Sequence, residues 1–80
     1  MITVSEKRER LLTHLANVEY VALYCERLRV LRGTRSQHLV ACMADVVQSY
    51  ISRVESGSAS GIGSSALQRI LTTYKEFEGC

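Results

Sequence analysis

Apolar residues along this chain recur three and four positions apart and almost nowhere alternate with polar ones. That is the period of a helix buried on one face. With no proline to interrupt it, the pattern predicts an all-α fold. A start signal stands at Thr3-Val4-Ser5-Glu6, the spacing of a capping box, in which the threonine oxygen accepts from the Glu6 amide. Leu11, Leu15, Val18, Ala22 and Cys25 then form one stripe, and Val21, Tyr24, Leu28 and Leu31 a second, rotated from it. Two faces over this length predict two helices, with a break at Asn17, whose short amide suits an N-cap.

Gly33-Thr34 ends that region, and Ser36 can cap a short helix over 37–43. A tight turn follows at Ala44-Asp45-Val46, then a helix over 47–55 stopped by Gly57. The stretch 57–65 is rich in glycine and serine and predicts a mobile loop. The last helix begins near Ser64 or Ser65 and carries Leu67, Ile70, Leu71, Tyr74 and Phe77 on one face. Glu78-Gly79-Cys80 is expected to fray. The expectation is one domain over 1–80 with about five short helices. Within it, 1–17 is an N-terminal helical extension, 37–55 a central helix-turn-helix and 64–78 a C-terminal helix.

The stretch 37–55 carries the chemistry. Two short helices that cross steeply through a tight turn need a small residue at the crossing, and Ala41 supplies one. Val40, Ala44, Val46, Ile51 and Val54 have the spacing to fill the wedge between the helices and the rest of the domain. The turn needs a residue that tolerates a left-handed backbone. Asp45 does so, because its side chain bonds locally.

From Ser36 to Gly57 the chain resembles, without a gap, the Cro and lambda-repressor class, also called the XRE family. The resemblance rests on Ser36-Gln37, Ala41 and Tyr50-Ile51-Ser52-Arg53-Val54-Glu55-Ser56-Gly57. It extends more weakly to Leu28-Arg29 and Leu31-Arg32. Asp45 stands where the family has a turn glycine, and the glycine-rich loop after Gly57 where it often has proline. The extension before Asn17 and the family's missing fifth helix are further departures.

The resemblance implies a lambda-repressor-like fold with an extra N-terminal helix. It also implies a second helix that enters the major groove of double-stranded DNA. Gln48, Ser49 and Arg53 are then the expected base contacts, since glutamine pairs bidentately with adenine and arginine with guanine. Gln37, Arg35, Tyr50, Ser52 and His38 are the expected backbone contacts, which fix register. The family likeness gives Gln37 a second task, bracing the glutamine of the recognition helix. It also pairs Glu55 with an arginine of the first helix, Arg32 or Arg29.

Charge and composition narrow the partners. The net charge of +2 is modest, but Arg27, Arg29, Arg32 and Arg35 cluster with no acid between Glu26 and Asp45. Such a cluster either attracts phosphate or is a solvated helix face. A core this small invites dimerisation. A homodimer would place two recognition helices about 34 Å apart on an inverted-repeat operator. Leu11, Leu12, Leu15, Leu71, Tyr74 and Phe77 are the expected contacts of that dimer, or else core.

Cys25, Cys42 and Cys80 are an odd number without close pairs, which suits free thiols in a reducing cytoplasm, with Cys25 and Cys42 buried and Cys80 exposed. No segment has the roughly 20 apolar residues of a membrane span, and the charged start is unlike a signal peptide. No metal-ligand spacing or phosphate loop is present, so neither enzyme activity nor a cofactor is expected, and no small-molecule effector. The functional expectation is a cytoplasmic, phage- or plasmid-type repressor of its own or a neighbouring operon. The alternative is a protein-interaction module, such as an antitoxin.

Overall fold

The computed structural model describes residues 3–79. Four helices follow in order: α1 over Val4–Arg32, α2 over Gln37–Ala44, α3 over Gln48–Glu55 and α4 over Ser64–Phe77. No strand occurs among the described residues, so the all-α expectation holds and five helices become four. Cys80 lies outside the described residues.

The difference in number comes from α1. It starts where the capping box places it, with the Thr3 hydroxyl accepting from the Glu6 amide at 3.1 Å. It then runs through Asn17 without a break. An asparagine inside a helix costs under about 1 kcal/mol, too little to stop a helix flanked by leucine and alanine. The change of face is taken up by a kink at Tyr24 (φ −122°, ψ 21°), beside a ring contact of 4.9 Å with Tyr20. A helix of 29 residues is about 43 Å long, which matches the 42 Å long axis of the molecule. The described part of the 1–17 extension is therefore the first half of α1 and no separate helix, and Met1 and Ile2 lie outside the described residues.

The core sits where the second half of α1 meets the other three helices. Val21 and Leu28 of α1 are buried against Val40, Ala41 and Ala44 of α2, Ile51 and Val54 of α3, and Leu67, Ile70, Tyr74 and Phe77 of α4. The loop from Gly57 to Gly63 is anchored to this core, because Ala59 and Ile62 are buried in it. Its glycines allow tight passage. Gly57 (φ 92°) packs on α1, where a Cβ would stand 3.4 Å from the Cys25 sulfur. Cys25 is half-buried in that contact and Cys42 is exposed, so neither is the buried thiol the sequence suggests. Tyr74 and Phe77 are core residues, which removes them as dimer contacts, whereas Leu11, Leu12 and Leu15 are exposed.

Candidate nucleic-acid interface

The α2–turn–α3 unit forms from short-range signals. Ser36 caps α2, its hydroxyl accepting from the Leu39 amide at 3.0 Å. Asp45 ends α2 in the left-handed region (φ 56°, ψ 52°), the one non-glycine with positive φ among the described residues. There the Val46 amide reaches back to the Ala41 carbonyl at 3.0 Å, the six-to-one bond of a Schellman turn. Ala41 is buried at the crossing, and Ile51 and Val54 are fully buried beneath α3. The opposite face of α3 is left to solvent. Gln48, Ser49, Ser52 and Arg53 are exposed there, and Tyr50 is half-buried against the core. Val47 offers no side-chain cap and its carbonyl accepts from the Tyr50 amide at 3.0 Å, which leaves the Gln48 and Ser49 amides at the front of α3 for an acceptor such as phosphate.

Glu55 fixes the angle at which α3 is held. It is 3% exposed, yet it carries a carboxylate. Arg32 Nε donates to its Oε2 at 2.7 Å, Tyr74 OH to the same oxygen at 2.5 Å, and Gln37 Nε2 to Oε1 at 3.1 Å. The Arg29 guanidinium donates to its backbone carbonyl. One residue thus ties α3 to α1, α2 and α4. Burial alone would raise the carboxyl pKa, but the bonds from Arg32, Tyr74 and Gln37 outweigh it and hold the group below its ordinary value. The same contact raises Arg32 further above its ordinary value, through the hydrogen bond to Glu55. Burial, and then the bond to Glu55, push the Tyr74 phenol well above its usual range.

The arginine cluster is spent on the fold. Arg32 and Arg29 hold Glu55, and Arg27 pairs with Glu78 at 3.1 Å. Arg35 stacks its guanidinium 4.2 Å over the Phe77 ring and donates to the Leu31 carbonyl. Arg32 and Arg35 are half-buried in these contacts and form neither a free phosphate patch nor a solvated face, whereas Arg27 stays on the solvated face in an exposed pair. Gln37 likewise gives its amide to Glu55, and among the described residues no hydrogen bond joins it to Gln48. His38 lies 3.7 Å from the Cys42 sulfur on the exposed side of α2. Arg53 gives one nitrogen to the Ser60 carbonyl at 3.1 Å and lies 6.0 Å from the Tyr50 ring centre.

No family model, curated protein or solved structure matches the chain.

Arg69 has no counterpart in the sequence reading. From α4 it donates to the carbonyls of Ala44 (3.0 Å) and Asp45 (3.2 Å), while its other nitrogen holds the Ser65 hydroxyl (2.9 Å). A cation across those carbonyls clamps the left-handed turn to α4. The only signal in the sequence is a charge between Leu67 and Ile70 on a helix whose neighbours are apolar. Arg69→Ala should lower stability by about 1–2 kcal/mol, read from the urea midpoint, because bonds from a charged donor exceed neutral ones. Among the described residues, no three His, Cys, Asp or Glu side chains come together as a metal site. No described helix is long and apolar enough to cross a membrane.

Proposed function

We propose that this chain is a sequence-specific double-stranded DNA-binding regulator of the Cro/lambda-repressor-like (XRE) class. In this reading it works as a homodimer in the cytoplasm and represses by occupying an inverted-repeat operator. The observation that carries the reading is the outer face of α3. Gln48, Ser49 and Ser52 stand exposed on a helix whose other side is pinned by Ile51, Val54 and the Glu55 bonds. Between Gln37 and Val54 only Asp45 carries a negative charge, so little opposes a phosphate backbone.

Gln48 and Ser49 read base edges from the front of α3. Ser52, Tyr50, His38 and the open first-turn amides meet phosphate. Arg53 keeps its remaining donors for a guanine or a phosphate. Gln37 and Arg35 become positioning residues, acting through Glu55 and Phe77.

Selection from a random duplex pool tests the reading. An inverted repeat should be enriched, with half-sites about 10–10.5 bp apart and affinity falling steeply with salt. A pool that yields no shared sequence overturns it. A second reading has one observation in its favour: Leu39, Met43 and Val47 are exposed apolar residues beside the same face. They suit a protein partner, which an empty DNA selection would bring forward.

A further inference from the structure

The first half of α1 projects beyond the body and carries exposed leucines, Leu11 and Leu12 at 58% and Leu15 at 53%. At 100° per residue, Val4, Leu11, Leu15 and Ala22 fall on one narrow strip, with Leu12 along its edge. Between Val4 and Ala22 the strip carries only two charges. Arg8 lies three residues before Leu11, and Glu19 four after Leu15. Both are exposed, and neither has an ion-pair partner of its own chain among the described residues.

We propose that this strip binds the same strip of a second copy, antiparallel, with a twofold axis at the level of Thr13. Run head to tail, Leu11 of each copy meets Leu15 of the other, and Val4 lies on Ala22. Arg8 of each copy then reaches Glu19 of the other. A twofold interface requires such self-complementarity. The parallel arrangement sets Arg8 against Arg8 and Glu19 against Glu19, which repel. The occupant is thus selected by charge as well as by apolar surface. The pairing supplies the dimer that the operator reading needs, and rests on that reading only for its use on DNA.

Sedimentation equilibrium of the full chain without DNA tests the pairing. The wild type should be dimeric in the micromolar range. R8E and E19R should each raise the dimer Kd by about 2- to 30-fold, two symmetric exposed pairs being lost. The R8E/E19R double variant should recover, because each new glutamate again faces an arginine. L15E should give monomers. Circular dichroism spectra should keep the wild-type helix content throughout, since all three side chains are exposed, and melting midpoints of the dissociated variants should fall only by the stabilisation that dimerisation gave. A wild-type monomer, a dimer that L15E leaves intact, or a double variant weaker than both singles overturns the proposal. Dimers that behave as predicted but bind no duplex would sink the operator reading and leave the pairing standing.

Discussion

Glu55→Gln should lower the melting temperature by about 12–24 °C. The buried carboxylate accepts from Arg32, Tyr74 and Gln37, and no neutral side chain of the same shape can accept from all three. Breaking a buried pair costs roughly 3–5 kcal/mol, and the lower end applies because Arg32 is still reached by water. In a domain of this size each kcal/mol moves the midpoint by about 4–8 °C. The pH dependence follows from the signs. The Glu55 carboxyl is depressed in the fold, so its contribution is complete above the unfolded value near 4.5 and is lost as pH falls through and below it. The Tyr74 phenol is raised, so its contribution is complete below about 10 and is lost as pH climbs past that. Wild type should show a plateau between those limits. Glu55→Gln should flatten the acid limb, and calorimetry from about pH 3 to 11 reads both limbs. A variant that melts with wild type and keeps the acid limb would remove Glu55 as the tie between the helices.

Gln48→Ala should weaken binding to the selected operator by about 1–3 kcal/mol, roughly 5- to 150-fold, and blur preference at one base pair of each half-site. Gln48 is exposed and its side chain makes no hydrogen bond among the described residues, so its removal should leave the folding free energy within about 0.5 kcal/mol of wild type. That contrast separates it from Glu55→Gln, which should weaken DNA binding only by unfolding or tilting α3. Equal affinity of Gln48→Ala and wild type across all base substitutions, measured by fluorescence anisotropy, would remove the base contact.

The two short helices α2 and α3 and the turn between them were legible because their signals act over three or four residues. The Ser36 cap, small Ala41, left-handed Asp45 and the stop at Gly57 each depend on local backbone chemistry, and each stands where the pattern predicts. The pairing of Glu55 with Arg32, implied by family likeness, is present as well. What stayed hidden depends on distant partners. Four clustered arginines read as a phosphate patch or a solvated face, since nothing local shows that α3 and the end of α4 return to receive Arg27, Arg29, Arg32 and Arg35. Asn17 read as a break because two apolar faces look alike whether the helix stops or kinks at Tyr24. The glycine-serine loop read as mobile because the burial of Ala59 and Ile62 is a tertiary event. Arg69 was invisible for the same reason, its targets being carbonyls on another helix.

The central claim is that α2 and the Asp45 turn present the front of α3 to a duplex. Amide chemical shifts of the labelled chain, followed as the selected operator is added, test it most directly. The largest changes should fall on Gln48, Ser49 and Ser52, with smaller ones at the start of α2. Saturable binding that leaves those three amides unmoved, with the changes gathered on α1 or α4 instead, would contradict it.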